Sequence, residues 1–184
     1  ETYADDITEH KIIPCPYPFR IEDRQSPSEK TIGLICAFGQ TSTGLRSDVQ
    51  NACRNIKHHL PILADKLSGG RQRYLELLNQ SFVAVDAWGG GDCTVRRNEA
   101  IINSVALCAQ RWGIIEPFSF KDEKNIIYYN TVDEFIEKMD FYLSNLDKLI
   151  EIGNNGYEHA LKYHTTEKRI EYIFDVINEK IKWE

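Results

Sequence analysis

In 184 residues, 28 acids outnumber 22 bases for a formal charge of -6, and 42% of the residues are hydrophobic. That length suits one well-buried domain rather than two, and the acidic excess argues against a nucleic-acid or anionic-membrane partner. No apolar run reaches the length of a membrane span and no basic-then-apolar leader opens the chain, so the expected location is intracellular, in the cytoplasm.

Residues 1 to 30 hold four of the six prolines, including the run Pro14-Cys-Pro-Tyr-Pro-Phe19, which cannot continue a helix and reads as extended chain. The segment has the character of a connector, and the first residue is Glu1 rather than methionine, which implies processing, trimming or a piece of a longer protein. From Thr31 the pattern changes. Thr31-Ile-Gly-Leu-Ile-Cys-Ala-Phe38 is nearly continuous apolar chain, as in a strand buried on both faces. A polar loop at 39–44 leads to a helix over 45–59. A second strand over 60–64 carries Pro61, which suits an edge or a first-residue position. A helix over 71–80 and a strand over 82–87 follow.

The next stretch, Trp88 to Ala109, organises the chain. Gly89, Gly90 and Gly91 follow the strand, and Thr94, Arg96, Arg97 and Glu99 stand where the loop becomes a helix. Glycines there turn sharply or let a ligand approach the backbone, while free amides and the helix dipole favour an anion that arginine can grip. Glu99, one turn in, is placed for hydroxyl groups beside that anion. A loose surface turn, with solvated arginines and Glu99 stabilised by the dipole, stays open beside this reading.

Short apolar segments at 105–109 and 125–129 complete the strands, and three helices end the chain. Thr131 with Glu134 has capping-box spacing, Ser144 or Asn145 caps the second helix and Thr165 or Thr166 the third. Their expected buried faces carry Val132, Phe135, Ile136, Met139 and Leu143, then Leu146, Leu149, Ile150, Tyr157 and Leu161, then Ile170, Ile173, Phe174 and Ile177. Strands alternating with helices predict an α/β fold, a Rossmann-like parallel sheet with flanking helices and a helical carboxy-terminal end. Ligands of such sheets sit at the carboxyl ends of the strands, where both glycine-bearing loops fall. The five cysteines (Cys15, Cys36, Cys53, Cys93 and Cys108) lack metal-site spacing, as do the five histidines, and no metal is expected.

The order of strand, Tyr74-Leu-x-Leu-Leu-x-x-Ser81, strand, glycine loop, Arg97-x-Glu99-Ala, strand, Gly113-x-x-Glu116 and paired helices with His164-Thr-x-x-x-Arg169 resembles the carboxy-terminal, nucleotide-sugar-binding domain of a two-domain GT-B glycosyltransferase. Within that group it is similar to the "glycosyl transferases group 1" branch, with its relatives of spore-maturation proteins, over residues 31 to 181. The resemblance implies one half of a GT-B fold, with 1–30 an extended connector from an amino-terminal domain and 31–184 the donor-binding domain. It implies a nucleotide diphosphate sugar as donor substrate with no other cofactor. Glu99 would hold the donor ribose, Arg97 and Arg46 the diphosphate, and Gly89 to Gly91 with Thr94 the sugar or phosphate side. The acceptor-binding domain would lie in the same longer chain or in a separate subunit, and this half alone would transfer no sugar. The alternative is a noncatalytic nucleotide- or sugar-binding module of the same fold. After the helix, the Cys/Ala-Gly-x-Pro step common in that branch reads Asn103-Ser104-Val-Ala106 here.

Overall fold

Strands that are apolar on both faces need cover on both, and six helices among the described residues flank the sheet. The structure, a computed structural model, describes residues 18–38, 44–65, 67–88, 94–111, 113 and 116–178. Its strands are β1 (Ile32–Ile35), β2 (Ile62–Leu63), β3 (Ser81–Asp86), β4 (Ala106–Gln110) and β5 (Ile127–Tyr129). They form one parallel sheet in the order β2-β1-β3-β4-β5, so Pro61 lies just before a short edge strand, where its missing N–H breaks no ladder. The helices are α1 (Leu45–Asn55), α2 (Gly70–Asn79), α3 (Val95–Ile102), α4 (Val132–Leu143), α5 (Leu146–Tyr163) and α6 (Thr166–Ile177).

Two apolar layers sandwich the sheet. Val49 and Cys53 of α1, Phe135 and Met139 of α4 and the start of α5 pack on one face, with Leu34, Val83, Val85, Cys108 and Ile127 beneath them. Leu75 and Leu78 of α2, Ala100 to Ile102 of α3, Phe19, Phe120 and Ala160 of α5 cover the other, over Ile35, Ala84 and Leu107. Helix α5 therefore passes from one layer to the other, beneath the amino ends of β4 and β5. Glycine permits this: a Cβ on Gly153 would stand 2.5 Å from the Ser104 carbonyl oxygen, and one on Gly156 would stand 2.9 Å from that of Asn125. In this strand order β1 and β3 are neighbours whose connections run to opposite sides, the switch at which a crevice opens outside the carboxyl ends.

Local signals account for most boundaries. Thr131 accepts from Glu134 N and caps α4, and Thr165 does the same for α6 through Lys168 N. Helix α1 stops at Asn55, short of the expected 59, because the chain must extend toward Pro61; there His58 Nδ1 accepts from Leu60 N. The last helix departs most from its pattern. Ile170, Ile173, Phe174 and Ile177 are all exposed, Phe174 at 59% and Ile177 at 66%, while Arg169 and Tyr172 are buried. The buried stripe is displaced by one residue, about 100° around the helix, because Arg169 is drawn inward by a carboxylate, as described below. Ile136 and Ile150 likewise lie on the outer faces of α4 and α5.

Residues 18–30 run along the domain. Phe19 N donates to His164 O and pairs with Thr165, a three-residue turn at Ile21–Asp23 leans on α3, and Arg24 donates to Ile102 O and Ser104 Oγ. Among the described residues no helix is long and apolar enough to cross a membrane.

Candidate functional site

The carboxyl ends of β1 and β3 bring two arginines to one aromatic ring. Phe38 follows β1 and is 2% exposed. Arg46, in the first turn of α1, places its guanidinium carbon 4.5 Å from the Phe38 ring centroid, and Arg96, in the first turn of α3, lies 5.2 Å from the same centroid. Like charges are thus held around one ring, and burial together with the charge of Arg96 pushes the Arg46 guanidinium below its usual pKa. The carboxylate facing them is Asp86, the last residue of β3, 3.6 Å from Arg96. Thr94 Oγ1 donates to the other oxygen of Asp86 at 2.8 Å and accepts from Arg97 N, so one hydroxyl caps α3 and ties it to β3. Burial raises the Asp86 pKa against the opposing pull of Arg96 and Thr94.

Among the described residues, two cations against one acid leave a surplus of one charge, to which the amino ends of α1 and α3 each add about half a unit. Arg46 Nε, Arg96 Nε and Asp86 Oδ1 are buried without a hydrogen-bond partner among the described residues. An anion entering between the helix ends would meet donors already aimed by the fold, an arrangement suited to phosphate. Trp88 and Val95 are exposed beside it.

The residues expected from sequence separate into three groups. Arg46 and Thr94 stand at this crevice. Glu99 lies one turn down α3, where Arg71 Nε and Nη2 both contact its Oε1 at 3.0 and 2.9 Å and Arg71 also reaches Asp23; burial raises its pKa, with Arg71 pulling the other way. Arg97 faces the interior at 2% exposure, where its guanidinium meets Glu116 and lies 5.2 Å from the Phe120 ring centroid. Gly89, Gly90 and Gly91 lie outside the described residues. Phe38, Asp86 and Arg71 were not singled out in the sequence. Asp86 had a visible signal as the polar terminus of an otherwise apolar strand, whereas Arg71 is 28 residues from its partner Glu99.

Glu116 also receives Arg169 at 3.2 Å, and Arg169 donates to His164 Nδ1. His164 Nε2 must then carry the proton, which it donates to Phe118 O at 3.0 Å. Phe118 has φ of +57°, a strained conformation for a bulky residue that these bonds maintain. The motifs around Glu116 and around His164 and Arg169 are therefore two sides of one buried clamp joining α3, the loop after β4 and α6. Burial, followed by the nearby Arg169 charge, pulls the His164 pKa down to about 2. The folded form thus holds this imidazole neutral while the unfolded chain protonates it below about pH 6.5. Stability from this group is complete above that pH and is lost as pH falls, by about 1.4 kcal/mol per pH unit. Urea unfolding between pH 4 and 8, with the imidazole followed by NMR, should show that slope; a flat profile would contradict the assignment.

A doubly wound α/β domain with a cationic crevice at its switch point is the class that fold and site define. The chain belongs to the glycosyl transferase-like family, whose model matches residues 57–175. Among solved structures, it is similar to the C-terminal domain of a glycosyl transferase group 1 family protein from Francisella tularensis, with 14% identity and a TM-score of 0.48 over 83% of this chain and 97% of that one. No curated protein sequence matches it. No group of three or more potential metal ligands occurs among the described residues.

Proposed function

We propose that this chain is the donor-binding half of a GT-B glycosyltransferase and holds a nucleotide diphosphate sugar at the carboxyl edge of its sheet. The observation that carries this reading is the pair Arg46 and Arg96 around Phe38, two guanidiniums with one buried carboxylate between two helix amino ends. In this reading the diphosphate lies between those arginines, and the backbone at Gly89 to Gly91 and Thr94 flank it. Glu99 takes the ribose hydroxyls, since both Arg71 contacts fall on a single carboxylate oxygen. Arg97, with Glu116, keeps the first turn of α3 in place. The departing diphosphate gathers charge as the glycosidic bond breaks, and fixed arginines stabilise it without reorganising.

The acceptor and any general base belong to an acceptor-binding half, in the same longer chain or a separate subunit, and the exposed Trp88 and Val95 give that half an apolar footing. Calorimetry with a nucleoside, a nucleotide diphosphate and a nucleotide sugar tests the division of roles. Arg46→Ala and Arg96→Ala should each weaken the diphosphate ligands by about 10- to 100-fold and the nucleoside little, as for a charge-assisted bond of about 1.5–3 kcal/mol. Glu99→Gln should weaken all three ligands. Unchanged diphosphate affinity in both arginine variants would defeat the reading, and sugar transfer by this chain alone would defeat the division between halves.

A further inference from the structure

A cavity opens at the edge of the sheet opposite the crevice, about 240 Å³ in volume, beneath the segment 24–30 where it straps the carboxyl ends of α2 and α3. Among the described residues its charged lining consists of Arg24 and Lys30, with no acid; Gln25, Ser28, Asn103 and Asn154 add polar groups, and Phe82 and Ile150 an apolar side. We propose that this cavity binds a small organic carboxylate, its anion between Lys30 and Arg24 and its short carbon chain against Phe82 and Ile150.

Charge decides the sign of the ligand. Lys30 Nζ donates to Asn79 O at 2.9 Å, and Arg24 Nη1 donates to Ile102 O at 2.8 Å and to Ser104 Oγ at 3.3 Å, so each cation answers one helix carboxyl end. A helix end is worth about half a negative charge. Two ends therefore offset one of the two cations and leave roughly one positive charge in the lining, where the Arg24 guanidinium also stacks 3.7 Å from the Tyr157 ring centroid. These bonds use one donor of the ammonium and the Nη1 donors of the guanidinium, out of three and five available. The strap is fixed: Gln25 N donates to Asn103 Oδ1 and Asn79 Nδ2 to Ser26 O, each at 2.6 Å. A preformed site spends little binding energy on ordering.

Size decides the rest. At about 240 Å³ the cavity lies just below the roughly 300–1,000 Å³ of pockets for drug-sized ligands, and at about 30 Å³ per water it has room for about eight waters, enough for a small organic acid. Burial pulls the Lys30 amine down to about 8, so an anion settling beside it restores the charged form.

The experiment is a titration of the 184-residue chain with butyrate, butyramide and inorganic phosphate, followed by amide and side-chain NMR and by calorimetry at pH 8 in two buffers of different ionisation heat. Butyrate should saturate with a Kd of about 1 mM or tighter, the range open to so few atoms, shift Ser28 and Asn154, and take up protons as Lys30 recharges. Butyramide should not bind. Lys30→Met, which retains the stem and removes the charge, should weaken butyrate at least tenfold, as should Arg24→Gln if that variant keeps the wild-type spectrum. Arg46→Ala, at the other edge, should leave butyrate affinity unchanged, separating this site from the donor crevice. Equal binding of butyrate and butyramide, phosphate binding in place of butyrate, no saturation by 50-fold above about 1 mM, or undiminished affinity in Lys30→Met would each overturn the proposal.

Discussion

Glu116→Ala should destabilise the domain by about 3–5 kcal/mol, the cost of breaking a buried ion pair from one side. Its carboxylate is 3% exposed and faces the guanidiniums of Arg97 and Arg169, each also 3% exposed, from α3 and α6. Alanine leaves those two positive charges buried together without the anion between them, and the loop carrying Phe118 loses its anchor. Glu116→Gln keeps the shape and an acceptor oxygen, so it should fall between alanine and wild type. Urea denaturation measures both. A loss below about 1 kcal/mol in Glu116→Ala, the level of an exposed pair, would show that solvent already screens the cluster. The same variant should lower diphosphate binding only as far as α3 shifts, whereas Arg96→Ala should lower it with stability little changed.

Gly153→Ala is the second large effect. Alanine in a helix interior is normally favoured over glycine by about 1 kcal/mol, so propensity alone predicts a gain. The added Cβ would stand 2.5 Å from Ser104 O and 3.0 Å from Ala106 N, both backbone atoms of the turn that starts β4. Neither side can yield as a flexible side chain would, so α5 must lift from the sheet and lose contacts along both layers. Overpacking of this kind costs about 1–3 kcal/mol and occasionally more; a 2.5 Å approach to a backbone oxygen belongs at the top of that range, and with the propensity gain of about 1 kcal/mol subtracted we expect a net loss of about 2 kcal/mol in urea unfolding. Gly156→Ala, with one close contact at 2.9 Å and the next at 3.8 Å, should lose less. A stabilised Gly153→Ala would mean that the helix has room to move.

A related strain sits at Ser104, whose φ is +55°. The resembling branch places glycine at that step, and glycine is the residue that adopts such a backbone without a clash. Here serine occupies it, its hydroxyl receiving Arg24 and its neighbour Asn103 donating to Glu99 O at 2.8 Å. Side-chain bonds thus hold a turn that the backbone alone disfavours.

Periodicity and punctuation in the chain were enough to define the elements. Apolar runs, the caps Thr131 and Thr165, and strands separated by helices specified a parallel α/β sheet, because these signals act between residues a few positions apart. The same local signals marked Thr94 and the arginines beside it as a helix start near an anion. They could not say which of two consecutive arginines turns outward. A helix rotates each successive side chain by about 100°, and the choice between Arg96 and Arg97 was made by Asp86 on one side and Glu116 on the other, one from the preceding strand and one fourteen residues after the helix ends at Ile102. The exposed stripe of α6 has the same origin: its apolar spacing promised a buried face, and the buried carboxylate of Glu116 drew in Arg169 instead. A buried carboxylate left without cations costs several kcal/mol, so Glu116 demands its arginines, and these meet it only when distant segments come together.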